Sequence, residues 1–301
     1  MLATFAKKNF QPKNILFIKS MDAIQSLFDM KQWSKATHLK NQTIGFVPTM
    51  GALHEGHLSL VRKSKESCDR TVVSIFVNPL QFSAHEDLEH YPQNLEIDFE
   101  LLKKEAVDIV FVPKPREMYP DGFQTMVEVP QLSQTLCSKS RPAHFRGVAT
   151  VILKLFTIVE PNKAFFGNKD FQQRVIIDRL VKDLHLDVEI VGCPLVREKE
   201  GLAMSSRNIY LLPEERKRAT VLYRALEHGR KLFQSGERGS LKIITQVTEM
   251  IDKENPKHID YVQVCDAQTL EEVSEITQPA LLAVAVQFGK ARLIDNVILS
   301  F

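Results

Sequence analysis

Residues 43–57 read TIGFVPTMGALHEGH, and this stretch decides the fold that the rest of the chain is expected to adopt. The largely apolar run Thr43–Val47 predicts a buried strand, and a helix is predicted over His57–Glu66. Between them, Gly51 and Gly56 allow a tight turn and a close approach of a ligand to the backbone. In parallel α/β sheets, ligands bind where a strand gives way to such a turn and helix.

The same alternation of short apolar runs and amphipathic segments continues to about residue 192. Further strands are predicted at Thr71–Val77, Asp108–Val112, Ala164–Phe166 and Val188–Val191. Helices are predicted at Asn94–Glu105, Gly147–Val159 and Asp170–Leu184. Continuous apolar strands between helices are typical of a parallel sheet covered on both faces, so we expect a Rossmann-like, doubly wound α/β fold.

The pattern changes in the last third of the chain. A long helix is predicted over Pro213–Gln234 and a second over Leu241–Lys253, followed by strands at Ile259–Val264, Leu281–Phe288 and Ala291–Leu299. Helices followed by grouped strands indicate a second, smaller α+β domain. We therefore expect one domain over residues 1–192 and another over residues 193–301.

The composition is that of an ordinary globular protein. The 301 residues include 39 Lys+Arg against 37 Asp+Glu, a formal charge of +2, with 44% hydrophobic residues. This balance gives no argument for nucleic-acid binding, and the longest aliphatic run, Ala280–Val286, is too short to span a bilayer. The four cysteines form no CxxC pair and no signal peptide is visible, so we expect reduced thiols and a cytoplasmic protein.

The densest candidate site is the HEGH segment, where two histidines three residues apart can meet one ligand. A helix N-terminus with free N–H groups favours phosphate, and histidine can donate hydrogen bonds to it or carry protons near neutral pH. The P-loop pattern fails because His57 and Leu58 replace its Lys-Ser/Thr, and the HExxH pattern fails because the second histidine comes early. The tripeptide GxG occurs nowhere in the sequence, so the glycine-rich fingerprint of dinucleotide-binding proteins is absent. A glycine-rich turn with two surface histidines remains the alternative.

Four further segments carry polar side chains at the ends of predicted elements. GNKD (167–170) offers a lysine for phosphate, and MSSRN (204–208) offers two hydroxyls and a guanidinium for an anion. NPLQF (78–82) ends a strand with two amides, and HFRG (144–147) precedes a helix. Taken singly, GNKD is read as a helix start and MSSRN as a polar turn, and HFRG is equally consistent with a structural role.

Together and in this order, the segments PTMGALHEGHLSLV, SIFVNPLQF, HFRGV, FFGNKDFQQ and GLAMSSRN closely resemble the pantothenate synthetase family. The resemblance covers residues 44–210 and thins towards the C-terminus. HEGH and MSSR are also similar to the HIGH and KMSKS signatures of the wider nucleotidyltransferase superfamily. Another nucleotidyltransferase, a carboxylate-adenylating ligase or a nucleotide-binding module without activity therefore remain alternatives.

The resemblance implies an AMP-forming carbon–nitrogen ligase. Pantoate, β-alanine and ATP would give pantothenate, AMP and diphosphate through a pantoyl adenylate. It further implies ATP as cosubstrate, Mg²⁺ on the ATP phosphates without a nameable protein ligand, and a homodimer. Small molecules are the expected partners, with neither nucleic acid nor a membrane.

The family's functional positions map onto this chain residue by residue. ATP would be bound by Met50, Gly51, Ala52, Leu53, His54, Glu55, Gly56, His57, Gly167, Asn168, Lys169, Asp170, Val196, Met204, Ser205, Ser206 and Arg207. Pantoate would be bound by Gln81 and Gln173, and β-alanine by Gln81. The implied catalytic residues are His57, as the acid, with His54, Lys169, Ser205, Ser206 and Arg207. Asn168 stands where the family often has an acidic residue, so a backbone contact is expected there.

Overall fold

The computed structural model describes residues 15–18, 21–82, 88 and 91–301. The first dozen residues, which match none of the family-like motifs and which we predict to be an extension, lie outside the described part of the chain. Within the described residues, one sheet has seven strands and a second has three.

The larger sheet has the order β1-β2-β5-β4-β3-β6-β7. Six of its strands run parallel, and β1 pairs antiparallel with β2 at one edge. The strand bounds are β1 Ile15–Ile18, β2 Met21–Ile24, β3 Ile44–Thr49, β4 Arg70–Ile75, β5 Ile109–Phe111, β6 Lys163–Gly167 and β7 Glu189–Cys193. The expected Rossmann-like parallel sheet is confirmed, and the edge hairpin of β1 and β2 is added to it.

Helices cover both faces of this sheet. Their bounds are α1 Leu27–His38, α2 Glu55–Ser67, α3 Leu95–Lys104, α4 Pro115–Met118, α5 His144–Val159 and α6 Phe171–Asp183. Neighbouring residues of β3 enter opposite cores: Phe46 packs edge-on against Phe156 of α5, whereas Val47 joins the cluster that contains Leu58 of α2 and Leu102 of α3. Burial on both faces explains why the central strands are apolar throughout.

The C-terminal part contains three helices and the antiparallel sheet β10-β9-β8. Their bounds are α7 Pro213–Ala219, α8 Val221–Gln234, α9 Ser240–Asp252, β8 His258–Asp266, β9 Ala280–Phe288 and β10 Ala291–Leu299. The prediction of one helix over 213–234 is wrong, because the chain breaks at Thr220. The amide and the hydroxyl of Thr220 both donate to the carbonyl of Lys217, at 3.3 and 2.7 Å, which closes one helix before the next begins.

Residues of the smaller sheet join the apolar core of the parallel-sheet part of the chain. Cys265, Leu281 and Ala283 belong to the same apolar core as Phe46 and Phe156 of the parallel sheet. The division into domains at residue 192 therefore stays a prediction. None of the described helices is long and apolar enough to cross a bilayer.

Candidate active site

A cleft of about 220 Å³ lies at the carboxyl ends of β3, β4 and β6. This is the edge at which parallel α/β sheets bind ligands. Most of the predicted site residues line it: Met50, His54, Gly56, His57, Gln81, Gly167, Lys169, Asp170, Gln173, Val196, Met204, Ser205, Ser206 and Arg207. The structure thus brings together side chains from positions as far apart in the sequence as Met50 and Arg207.

The remaining predicted residues lie around the cleft rather than in its wall. Gly51, Ala52 and Leu53 form the turn behind it, and Glu55 points away to form an ion pair with Arg62. The carbonyl of Asn168 accepts a hydrogen bond from Asn296 of β10 at 3.0 Å. This hydrogen bond from β10 holds the backbone of Asn168 in place.

The turn after β3 is held by a buried carboxylate that the sequence analysis missed. Gly51 and Ala52 both adopt left-handed backbone conformations, with φ of 83° and 51°. The amides of Ala52 and Leu53 donate to the two oxygens of Asp98, at 3.0 and 2.8 Å. Asp98 is only 2% exposed, and a Cβ at Gly51 would lie 2.9 Å from its Oδ2.

The position of Asp98 in the sequence already indicates that its side chain is buried. It lies three residues after Leu95 and four before Leu102, on the face of the predicted helix that carries the apolar residues. A carboxylate at such a position requires buried hydrogen-bond donors, because an unpaired buried charge is strongly unfavourable. The identity of those donors depends on contacts 45 and 46 residues away, which no local pattern reveals.

The two histidines form a reciprocal cap at the start of α2. His54 Nδ1 accepts from the amide of Gly56 at 3.1 Å, and His57 Nδ1 accepts from the amide of His54 at 3.3 Å. The amide of His57 donates to the carbonyl of His54 at 2.8 Å. The expectation of free N–H groups for phosphate at this helix start is therefore wrong for His54, Gly56 and His57.

The same contacts fix the tautomer of both rings. Since Nδ1 of each ring accepts a hydrogen bond, a neutral ring carries its proton on Nε2. Burial, together with the positive charge of Lys169, lowers the pKa of His54 from 6.5 to about 4. Burial, followed by the neighbouring His54 and Lys169, lowers the pKa of His57 well below 6.5. At neutral pH both rings are uncharged hydrogen-bond donors through Nε2.

Gly56 allows the histidine ring to fold over the helix start. A Cβ at this position would lie 2.9 Å from the ring atoms Cε1 and Nδ1 of His54 and 3.8 Å from Cβ of Met204. HEGH and MSSR therefore meet across the cleft. The ring centroids of His54 and His57 are 4.1 Å apart, so the two side chains act on one small volume.

The MSSR segment is held by a local cap and by a contact with Tyr91, between β4 and α3. Ser205 caps the short 3₁₀ helix Ser206–Tyr210 by accepting from the amide of Arg207 at 3.3 Å. The hydroxyl of Tyr91 lies 3.4 Å from Ser206 Oγ. Tyr91, which the sequence analysis also missed, thereby connects the region after β4 with the C-terminal half of the chain.

Strand β10 supports two walls of the cleft at consecutive positions. Asp295, which is 2% exposed, accepts from both terminal nitrogens of Arg197, and Arg197 donates to the carbonyl of Gly201 on the arm that leads to Met204. The side chain of Asn296 donates to the carbonyls of Asn168 and Lys169. The buried pair and the amide bridge hold the MSSR and GNKD segments to one strand.

The two glutamines after Phe171 have different roles. Gln172 is buried and donates to the carbonyls of Leu132 and Thr135, at 3.0 and 2.8 Å, while accepting from the amide of Cys137. Gln173 instead lines the cleft. The cleft continues past Gln173 into a second cavity of about 640 Å³, which is also lined by Lys169 and Arg207. The site therefore has room for more than one ligand.

Comparison with known proteins identifies close relatives of this chain. The sequence profile described as pantoate-beta-alanine ligase matches residues 22–298. Pantothenate synthetase from Thermotoga neapolitana is 53% identical over 279 residues, which cover 93% of this chain and all of that protein.

Solved structures give the same result. The crystal structure of pantothenate synthetase from Thermus thermophilus has a TM-score of 0.87 and 42% identity, and covers 93% of this chain and 99% of its own. Pantoate-beta-alanine ligase from Francisella tularensis, complexed with beta-gamma ATP and beta-alanine, has a TM-score of 0.78 and 35% identity, with 92% and 97% covered.

Replacing Asp98 by asparagine tests the clamp behind the turn. Asparagine keeps the shape but offers one acceptor oxygen and turns its NH₂ group towards a second amide donor. We expect a loss of about 1–3 kcal/mol in the free energy of unfolding, measured by chemical denaturation. Asp121→Asn, at an exposed position, is the matched control. Equal stability of the two variants would show that the carboxylate does not hold the turn.

The lowered pKa of His54 predicts a dependence of stability on pH. Between pH 6.5 and 4 the unfolded chain binds more protons at His54 than the folded chain, so stability falls as the pH is lowered. Between pH 7 and 5, the wild type should lose on the order of 1–2 kcal/mol more than His54→Asn, in denaturation at each pH. The exposed His185→Asn should keep the wild-type slope. Parallel curves for wild type and His54→Asn would contradict a depressed pKa.

Proposed function

This chain belongs to the pantoate–β-alanine ligase family, and we propose that its cleft carries out that family's reaction through an enzyme-bound pantoyl adenylate. The protein is an AMP-forming ligase that makes pantothenate from pantoate and β-alanine, with ATP as cosubstrate. One observation carries the proposal for the site. The two histidines, Lys169, the MSSR segment and the glutamines Gln81 and Gln173 all line one cleft.

The proposed reaction has two steps. A carboxylate oxygen of pantoate attacks the α-phosphorus of ATP, and the bond from that phosphorus to the bridging oxygen of diphosphate breaks. The amine of β-alanine then attacks the activated carbonyl carbon, the bond from this carbon to the phosphate oxygen breaks, AMP leaves, and the nitrogen of the new amide releases one proton to solvent. No protein nucleophile takes part, so the protein contributes positioning and charge stabilisation.

The nucleotide is proposed to lie between HEGH, GNKD and MSSR. The Nε2–H groups of His54 and His57 point from a capped helix start, and Lys169 adds a positive charge beside them. These donors are suited to the charge that develops on the α-phosphate and on the departing diphosphate. The role proposed for His57 as the acid is hydrogen-bond donation: its ring is uncharged at neutral pH, so Nε2–H would donate to the departing diphosphate rather than transfer a proton. Ser205, Ser206 and Arg207 would stabilise the pentacovalent phosphorus.

Pantoate is proposed to bind between the two glutamines that line the cleft. Gln81 Nε2 donates to the sulfur of Met50 at 2.7 Å. Sulfur is a weak acceptor, so an oxygen of the substrate can replace it. Gln173 faces the same cleft from the first turn of α6, and β-alanine is proposed to approach the activated carbonyl near Gln81.

Mg²⁺ is proposed to enter with the nucleotide. The described residues contain no group of three or more histidine, cysteine or acidic side chains arranged to hold a metal ion. The side chains of the cleft therefore do not suit a metal site built from protein ligands alone. In nucleotide enzymes, Mg²⁺ is commonly held by phosphates and water with few protein ligands. We therefore assign no protein ligand and no catalytic step to it.

Three further properties are proposed. Residues 193–301 are proposed to act as a unit that closes over ATP and carries MSSR with it. A homodimer is proposed from the family resemblance. A cytoplasmic location is supported by four free cysteines, of which Cys137, Cys193 and Cys265 are buried.

Isotope transfer tests the adenylate route. With ¹⁸O in the carboxylate of pantoate, one labelled oxygen should appear in AMP, because the carbon–oxygen bond breaks after that oxygen has joined the phosphorus. Mass spectrometry of AMP measures the transfer, and release of AMP should require pantoate, β-alanine and ATP together. Unlabelled AMP would overturn the adenylate route, and turnover only with a different acid would overturn the substrate assignment.

Substitution of His57 tests its role as a donor to phosphate. We expect His57→Ala to fold normally and to lower kcat by about two orders of magnitude or more, the contribution of one positioned acid or donor. Steady-state kinetics and circular dichroism check both parts. The exposed His185→Ala is the control and should keep the wild-type kcat. A near-normal kcat for His57→Ala would refute the role.

A further inference from the structure

We propose that Tyr119 is a positioning residue that acts through Asn78 to fix the side-chain amide of Gln81 with its NH₂ group towards the cleft. The proposal rests on the proposed function of the cleft. It assigns a chemical requirement to the pantoate site, because the substrate atom that meets Gln81 must be a hydrogen-bond acceptor. The oxygens of the carboxylate and hydroxyl groups of pantoate meet this requirement.

The orientation of Asn78 follows from two backbone groups. Asn78 is 1% exposed, and its Nδ2 lies 3.0 Å from the carbonyl oxygen of Gly147, which can only accept a hydrogen bond. Its Oδ1 accepts from the amide of Leu80 at 3.3 Å, which can only donate. Exchanging the nitrogen and oxygen of Asn78 would place donor against donor and acceptor against acceptor, so one orientation is selected.

Asn78 passes this orientation to Gln81. The second hydrogen on Asn78 Nδ2 is donated to Gln81 Oε1, over 3.1 Å. With Oε1 engaged behind the cleft, Gln81 turns Nε2 forward to Met50. Gln81 therefore presents donors to the cleft, although a glutamine side chain by itself can present either end.

Tyr119 supplies the remaining hydrogen bond at Asn78, and we call the series Tyr119–Asn78–Gln81 the relay. Its hydroxyl donates to Asn78 Oδ1 over 2.7 Å, the shortest of the four hydrogen bonds at Asn78. The ring is held by Phe76 and Phe123, with centroids at 6.1 and 5.1 Å. Since phenylalanine preserves these ring contacts, the hydroxyl can be removed without removing the packing.

The HFRG segment holds the backbone on which Gln81 sits. A Cβ at Gly147 would lie 2.2 Å from the carbonyl oxygen of Leu80, so only glycine lets α5 approach this turn. The Nδ1 of His144 is 2.8 Å from the carbonyl of Gln81 and must donate to it. Arg141 contacts the same carbonyl and the other ring nitrogen of His144, at 3.4 and 3.3 Å. These contacts hold the backbone of the turn at Leu80 and Gln81 in place. The relay then determines which end of the Gln81 side-chain amide faces the cleft.

A double-mutant cycle tests the relay. We expect Tyr119→Phe to lower kcat/KM for pantoate about three- to tenfold, mainly through KM, the effect of losing one hydrogen bond. KM for ATP should change less than twofold. In a Gln81→Ala background, the same Tyr119→Phe change should lower kcat/KM less than twofold, because the residue through which Tyr119 acts is absent. Thr37→Val removes a buried hydroxyl from α1 and is the control.

The outcomes separate the relay from a structural role and from the proposed function. A merely structural Tyr119 would lower kcat/KM by the same factor in both backgrounds, and this result would overturn the relay, as would an unchanged KM for pantoate in Tyr119→Phe. Thermal unfolding of each variant identifies a general loss of stability. If wild type fails to turn over pantoate, the proposed function fails instead. An effect confined to the background that retains Gln81 supports the relay.

Discussion

The buried carboxylate of Asp98 is the contact on which the remainder of the site depends. It receives two consecutive amides from a turn whose first two residues, Gly51 and Ala52, are left-handed. This turn connects the end of a central strand to the reciprocal histidine cap, and it also places the sulfur of Met50 beside Gln81. A single buried carboxylate thereby supports both the wall that carries the two histidines and the wall that carries Gln81.

The C-terminal sheet supports the same site from the other side. Asp295 and Asn296 are neighbours on one strand, yet one fixes the arm that leads to MSSR and the other fixes the backbone of GNKD. Because adjacent residues of a strand point to opposite faces, one short segment can hold two walls. Movement of the C-terminal part relative to the parallel sheet must therefore either carry GNKD along or break the contacts of Asn296.

The local features of the sequence predicted the sheet and most of the cleft, and long-range contacts account for what was missed. Thr43–Val47 is apolar at nearly every position, because both faces of β3 are buried. The hairpin of β1 and β2 has four residues in each strand, too few for a clear pattern. Asp98, Tyr91 and Tyr119 depend on partners 41 to 115 residues away, so their roles follow only from the folded chain.

The reciprocal cap at the start of α2 also constrains how this segment can vary. His54 and His57 are joined by hydrogen bonds to backbone amides two and three residues away, and Gly56 leaves the space that the first ring occupies. The distance between the histidines along the chain is therefore set by the helix start itself, before any ligand is considered. Insertions and deletions between them are excluded, whereas the outward-facing position of Glu55 is open to exchange.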